Sequence, residues 1–167
     1  MSDSTAPPAI DASSESRVAL AALVVMRLAL AGWVGAAVLF VITSIAEQVF
    51  PEFNSTTRDQ LATIRFPFYY ASGVICCTLA LASGVLCRSV SRRVMVGLLI
   101  VVAAAIVFAL DYWFVYRPLQ ALIIPPGQPR TEQFTQLHTW SRNVNTFHLL
   151  LILLAAVQVN LPIRRGG

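Results

Sequence analysis

Four polar side chains recur at helical spacing where the last long apolar stretch of the chain begins. They stand three, four and three residues apart and therefore share one face of an α-helix: His138, Ser141, Asn145 and His148. Polar side chains are expensive inside hydrocarbon, so they normally face the interior of a helix bundle or water. Asp111, close to the end of another apolar stretch, and Arg65 should lie near the same membrane border. We therefore predict an outer-leaflet polar cluster of Asp111, His138, Ser141, Asn145 and Arg65.

Such a cluster has two chemical interpretations. In the first, its hydrogen bonds tie helices together, and each contributes about 0.6 kcal/mol. In the second, it binds a small polar ligand, a metal ion or a lipid headgroup. A carboxylate at this depth needs an arginine, a histidine or an amide as its partner. Both interpretations remain open from the sequence.

The two histidines offer little to a metal ion. On one helix His138 and His148 are ten residues apart, hence about 15 Å along the axis. They are too far apart to ligate one ion or to clamp one haem, and one histidine with Asp111 is a sparse set for a transition metal. We therefore expect no metal site and no cofactor. No phosphate loop, nucleophile elbow or zinc-protease helix is present, and we expect no enzyme.

A second set of intramembrane polar residues is predicted to be structural: Arg27, His148, Gln158 and Asn160. A central arginine costs about 2.5 to 3.5 kcal/mol, so Arg27 should sit near the inner border. Because it shares a helix face with Ala31 and Gly35, we expect it to point into the bundle. Gln158 and Asn160 are its expected neighbours at that level.

Four apolar helices must position these residues. Hydrophobic residues make up 57% of the chain and charged residues 12%, which is too little charge for a soluble globule. The apolar stretches, about 18–46, 67–87, 94–116 and 143–163, approach the roughly 20 residues that cross a bilayer as a helix. We predict an all-α integral membrane four-helix transmembrane bundle over residues 17–163, after a disordered tail over residues 1–16.

The two outer connections carry local signals. The stretch from Asn54 to Asp59 offers several N-cap candidates, among which Thr56 with Asp59 resembles a capping box. The short amphipathic helix that follows should kink or break at Pro67. The other connection is rich in proline and glycine over residues 125–129, and Thr131 should then cap a helix that runs on into span four. Six aromatic residues should form an interfacial belt on this side: Tyr69, Tyr70, Tyr112, Trp113, Tyr116 and Trp140.

The arginines predict the orientation. Lysine is absent, so all twelve basic residues are arginines. Those beside the short link between spans two and three and beside the two termini are Arg17, Arg88, Arg92, Arg93, Arg164 and Arg165. The positive-inside rule then predicts a multi-pass protein of the cytoplasmic (inner) membrane with both termini in the cytoplasm. The expected partner is the lipid bilayer. Association into a homo-oligomer or with other membrane proteins remains open, and we expect no binding of nucleic acid.

Short motifs carry a family resemblance. One reads F-x-x-L-H-x-x-S-x-x-x-N, from Phe134 to Asn145, and the other joins Phe66, Pro67, Tyr69 and Tyr70. Over about residues 27–161 the chain resembles a bacterial four-helix membrane family that is catalogued as a domain of unknown function and is similar to eukaryotic transmembrane protein 205. The resemblance implies a four-span bundle without agreed activity, cofactor or catalytic residues. The eukaryotic relative is associated with tolerance of platinum drugs, which implies handling of metals or small molecules.

Three functions follow as alternatives. The first is a non-enzymatic module for small-solute or metal handling or tolerance, in which the outer-leaflet polar cluster is the binding site. The second is a structural or accessory membrane subunit without a ligand of its own. The third is a haem- or quinone-linked redox membrane protein.

Overall fold

The computed structural model describes residues 12–162 of the chain, which are helical apart from short links. In chain order the elements are α1 (Ala12–Val49), α2 (Ser55–Cys87), α3 (Arg92–Asp111), a π-helical turn (Tyr112–Tyr116), α4 (Arg117–Ala121) and α5 (Glu132–Asn160). Four of these stretches are long and apolar enough to cross a membrane, when α3 is taken together with its continuation to Ala121. The prediction of an all-α four-helix transmembrane bundle is confirmed.

The helices alternate in direction, which gives the bundle two different ends. At the terminal end α1 begins, α5 ends and residues 88–91 link α2 to α3. At the loop end residues 50–54 link α1 to α2, and residues 122–131 link α4 to α5. The closest pairs are α1 with α2 and α3 with α5, and the pairs α1 with α5 and α2 with α3 close the ring.

Apolar side chains cover the outside of the bundle as well as its core. Leu28, Leu39, Phe68, Leu99 and Phe114 are all exposed. A water-soluble protein rarely exposes so continuous an apolar surface, whereas lipid covers it without penalty. The four spans and this surface define a multi-pass membrane protein.

Small residues let the helices approach closely in the core. Ala80, Ala104 and Ala155 are fully buried, and such residues allow helix backbones to come near one another. Gly73 of α2 faces the rings of Trp33 and Phe108, and a Cβ atom there would lie 2.8 Å from Cη2 of Trp33. The close packing of α2 against α1 and α3 therefore depends on a missing side chain at this position.

Two helix boundaries differ from the prediction. Residues 1–11 of the predicted tail lie outside the described residues, but residues 12–16 already belong to α1, where Glu15 in the first turn suits the helix dipole. The predicted break at Pro67 is wrong, because α2 continues through it and absorbs the expected short helix. Transmembrane helices tolerate proline, and Asp59 before it and Tyr70 after it both bond to other parts of the chain.

The caps at the loop end were partly predicted. Thr131 caps α5 as expected, since its Oγ1 accepts a hydrogen bond from the Phe134 N–H at 3.1 Å, and α5 runs unbroken to Asn160. The cap of α2 is Asn54 and not Thr56. Its Oδ1 accepts from the Thr57 N–H at 2.9 Å, and asparagine is a stronger N-cap than threonine.

Candidate functional site

A hydrogen-bond network around Asp111 joins three helices near the loop end. The carboxylate of Asp111 is 2% exposed, and its Oδ2 accepts from the Tyr70 hydroxyl at 2.5 Å and from Nδ2 of Asn145 at 3.1 Å. The Tyr69 hydroxyl donates to Oδ1 of Asn145 at 2.9 Å, and Nδ2 of Asn145 also contacts the carbonyl of Ser141 at 2.9 Å. The predicted grouping of Asp111, Ser141 and Asn145 is therefore present, and it links α2, α3 and α5.

The second carboxylate oxygen of Asp111 stands apart from this network. Within the part of the chain that the structure describes, Oδ1 is buried and has no hydrogen-bond partner. A buried polar atom without a partner costs roughly 1–3 kcal/mol, more when it is charged, and such atoms in native proteins call for a specific explanation. Oδ1 is thus free to accept a hydrogen bond from a donor other than the described residues.

A π-helical turn follows Asp111 directly. The Arg117 N–H donates to the Tyr112 carbonyl, so that this turn holds one residue more than an α-helical turn, an irregularity that is frequent at functional sites. The rings of Tyr112 and Tyr116 lie 5.1 and 4.4 Å from that of Tyr70, between centroids. The turn thus packs aromatic rings around the phenol that donates to Asp111.

An open groove lies beside the network, between α3 and α5. It has a volume of about 470 Å³ and is lined from the α3 side by Leu110, Asp111 and Phe114, and from α5 by Trp140, Val144 and Phe147. Asp111 is the charged residue of this lining. Small-molecule sites in proteins combine apolar walls with few polar groups, and the lining of this open groove has that composition.

A second polar layer lies one turn deeper and is closed. His148 is 1% exposed; its Nε2 accepts from Nε1 of Trp33 at 2.9 Å, and its Nδ1 lies 3.0 Å from the Ala104 carbonyl. The indole can only donate, so Nδ1 must carry the proton and donate to Ala104. Both ring nitrogens are thereby used in joining α1, α3 and α5, which agrees with the predicted structural role of His148.

Two residues of the predicted cluster lie elsewhere. His138 is exposed on α5 and stacks on Phe134, with ring centroids 5.8 Å apart, and it has no contact with Asp111. His138 shares a helix face with Ser141 and Asn145 but is not buried, because α5 continues at the loop end beyond the tightly packed part of the bundle. Arg65 forms an ion pair with Glu47 across the α1–α2 hairpin, and its guanidinium lies 4.9 Å from the centroid of Phe40. Arg65 pairs with Glu47 and not with Asp111, because α1 and α2 are neighbouring helices.

Arg27 reaches α5 as predicted, but by another contact. Its Nε donates to the backbone carbonyl of Val159 at 2.9 Å, between the two side chains that we expected. Gln158 is half-buried, and Asn160 is exposed and donates to the carbonyl of Ala156 on its own helix. The face argument for Arg27 is wrong, because Ala31 and Gly35 are exposed, which places Arg27 at the edge of the bundle core.

Three of the residues in these networks were missed or misassigned. Tyr69 and Tyr70 were expected in an interfacial belt, but they are 8% and 4% exposed and donate into the Asp111 network. Trp33 was not considered as a hydrogen-bond donor. A usable signal was present, since tyrosine beside a glycine-containing helix face in the middle of a span is placed to pack inwards, and buried Tyr and Trp usually have a partner for the polar atom.

A second buried carboxylate fixes the long link at the loop end. Asp59 of α2 accepts from the Gly127 N–H at 2.9 Å and from Nη2 of Arg130 at 2.5 Å. Gly127 has a φ of +87°, which glycine adopts without strain. Both oxygens of Asp59 have partners, so this carboxylate is a structural latch.

The described residues contain no group of three or more His, Cys, Asp or Glu side chains that could hold a metal ion. Cys76, Cys77 and Cys87 are free thiols.

The fold and the site define the class of this protein: it is a multi-pass helical membrane protein with one open and one closed polar layer. The chain matches no protein-family model, and comparison with curated proteins and with solved structures also finds no match.

Proposed function

We propose that this membrane protein is a non-enzymatic binding module that holds a small ligand at Asp111. The observation that carries the proposal is the free Oδ1 of a buried carboxylate at the edge of an apolar groove. Intramembrane carboxylates are rare, and they usually mark ligand or ion sites or pair with another charge. The neutral partners of Asp111 leave one of its oxygens for a ligand.

A structural role for the same network is the main competing function. Its hydrogen bonds join α2, α3 and α5, which is what an accessory subunit without a ligand would need. The redox alternative receives less support, because both ring nitrogens of His148 are already bonded and His138 lies exposed near the loop end.

The family membership is part of the proposal. Of the residues in the two short motifs, Tyr69, Tyr70, Ser141 and Asn145 meet in one network around Asp111. Motif residues that are distant in sequence and adjacent in space support a shared site. We accordingly propose that the chain belongs to the four-helix family that resembles transmembrane protein 205.

The proposed location is the cytoplasmic membrane, with the terminal end in the cytoplasm. Arg88, Arg92 and Arg93 lie at that end, and Nη1 of Arg93 donates to the Pro162 carbonyl at 2.6 Å. These three arginines in and beside the short link 88–91 support the orientation. Reporter fusions should place the position after Arg93 in the cytoplasm and the link 122–131 on the other side of the membrane, and the reverse result would refute the orientation.

Ligand-dependent stabilisation tests the binding function. The purified protein in detergent is screened against small amines, alcohols, carboxylates and divalent metal salts, and the unfolding temperature is measured. We expect a subset of compounds to raise this temperature for the wild type and not for Asp111→Asn, which keeps the shape of the side chain. Asp59→Asn is the matched control, because Asp59 is equally buried, and it should retain the response.

Two results would contradict the binding function. One is the absence of any stabilising compound, and the other is a response that survives in Asp111→Asn. Either result would favour the structural role of the network.

A further inference from the structure

The charge of Asp111 lacks a countercharge within the described chain. Its recorded hydrogen-bond donors, Tyr70 and Asn145, are neutral. Five arginines lie near the loop end, and none has a hydrogen bond or ion pair with Asp111 among the described residues: Arg65 pairs with Glu47, Arg130 pairs with Asp59, Arg117 lies over the ring of Trp113 at 4.8 Å, Arg58 donates to the Phe50 carbonyl, and Arg142 is exposed on α5. A charged donor forms a shorter and stronger hydrogen bond to a carboxylate than a neutral donor does, so a cationic group is the partner that complements Asp111 best.

The groove beside Asp111 limits what this cation is. The described residues contain no group of three or more His, Cys, Asp or Glu side chains that could hold a metal ion, so a bare metal ion would lack a sufficient set of ligands at Asp111. The walls are apolar and partly aromatic, with Phe114, Trp140 and Phe147 around the opening. Aromatic faces attract organic cations and pack against apolar groups. The site therefore suits an ammonium group attached to an apolar body.

The position of the groove also indicates how such a molecule enters. Leu110, Phe114, Trp140 and Phe147, which line it, are exposed on the lipid-facing surface of the bundle. Asp111 lies six residues before Arg117, hence about 9 Å deeper along the helix. At the loop end, the latch of Asp59 with Gly127 and Arg130 fixes the link 122–131. The open side of the groove thus faces lipid.

We infer that the ligand is an amphiphilic organic cation, which enters the α3–α5 groove sideways from the bilayer and places its ammonium group beside the carboxylate of Asp111. This inference rests on the binding function proposed above and names its ligand class and route. It needs no catalytic step, because the ligand is held by a charge-assisted hydrogen bond and by apolar contact.

The ligand class is tested with a matched pair of probes. Phenethylammonium and phenylethanol share the apolar body and differ in the ammonium group. Isothermal titration of the protein in detergent should show binding of phenethylammonium, at least about tenfold weaker binding of phenylethanol, and a loss of at least about tenfold for phenethylammonium in Asp111→Asn. The Asp59→Asn control should bind both probes as the wild type does.

The possible failures are distinguishable. If both probes bind equally and both require Asp111, the cationic class is wrong but the ligand site stands. If the binding of neither probe changes in Asp111→Asn, the site itself is refuted. If phenethylammonium does not bind at all, the inferred ligand class is refuted. The unfolding-temperature screen with the other compounds then still tests whether Asp111 is a binding site.

The route is tested with a lipid-soluble carbodiimide, which adds to carboxyl groups that it can reach from hydrocarbon. In reconstituted vesicles, dicyclohexylcarbodiimide should label Asp111, as read by peptide mass. Leu110→Trp fills the groove and should reduce this labelling severalfold, whereas Leu99→Trp, on the lipid face of the same helix but outside the groove, should not. Equal labelling of both variants would overturn lateral entry.

The same labelling covers the case in which Asp111→Asn does not fold. In wild-type vesicles, N,N-dimethylphenethylammonium, a tertiary analogue that keeps one N–H and cannot form an amide with the activated carboxyl group, should protect Asp111 from the carbodiimide, and phenylethanol at the same concentration should not. Protection by both probes or by neither would contradict a cation beside the carboxylate of Asp111.

Discussion

Removing single hydroxyl groups from the two adjacent tyrosines tests whether Asp111 is a charged acceptor. Tyr69→Phe removes a donor to the neutral amide of Asn145, and Tyr70→Phe removes a donor to the Asp111 carboxylate. Both side chains are buried and both substitutions delete one oxygen atom, so packing changes are alike. The difference between the two variants therefore reports the nature of the acceptor.

The magnitudes follow from the acceptors. A neutral interhelical hydrogen bond in a membrane contributes about 0.6 kcal/mol and at most about 1.7, which is the expected cost of Tyr69→Phe. A hydrogen bond to a charged group contributes about 1.5–3 kcal/mol, which is the expected cost of Tyr70→Phe. The loss also leaves Asp111 with Asn145 as its remaining donor among the described residues.

Equilibrium unfolding in mixed detergent micelles gives the free energy of unfolding of each variant. Tyr112→Phe is the control, because Tyr112 packs on Tyr70 but is only half-buried, and it should change the free energy by less than about 0.5 kcal/mol. Equal costs for Tyr69→Phe and Tyr70→Phe would show that Asp111 is not a charged acceptor. A cost of Tyr70→Phe as small as that of the control would refute the network itself.

Three further experiments test the packing and the loop end by the same unfolding measurement or by hydrogen exchange. Gly73→Ala should lower the free energy of unfolding by about 1–3 kcal/mol, because its Cβ would overlap buried rings. Gly35→Ala is the control and should be neutral or stabilising, because its Cβ would meet open space. Equal effects of the two substitutions would contradict the packing argument. Thr131→Ala should cost about 1 kcal/mol and speed amide exchange in the first turn of α5; unchanged exchange would argue against the cap. A double-mutant cycle of Glu47→Gln with Arg65→Gln should give a coupling of about 0.5–1 kcal/mol, and zero coupling would show that this ion pair is incidental.

The spans could be predicted because they depend on local composition. An apolar stretch of sufficient length must be helical in lipid whatever surrounds it, so four helices followed from the sequence alone. The boundaries were less predictable. Residues 12–16 belong to α1, and the residues on both sides of Pro67 are held in one helix by contacts with other parts of the chain. Such contacts are not local properties of the chain.

The site residues were predicted correctly where helical periodicity alone determines which side chains share a face. They were missed where the packing order of the helices determines which side chains meet. Ser141 and Asn145 share a face by spacing alone, and both lie in the network. Arg65 pairs with Glu47 and not with Asp111, because α1 and not α3 is its closest neighbour. Tyr70 could have belonged to an interfacial belt or to the core by composition, and only the position of α2 beside α3 decides between them.

The contrast between the two polar layers is the strongest argument for a site. In the layer of His148, the indole N–H and both imidazole nitrogens have partners, and three helices are joined without an unused polar atom. The layer of Asp111 also joins three helices, but one carboxylate oxygen remains without a partner at the edge of a groove. If joining helices were the whole purpose, an amide or a hydroxyl at position 111 would do so without the cost of a buried charge. A carboxylate at that position therefore favours the proposed binding function over a purely structural role.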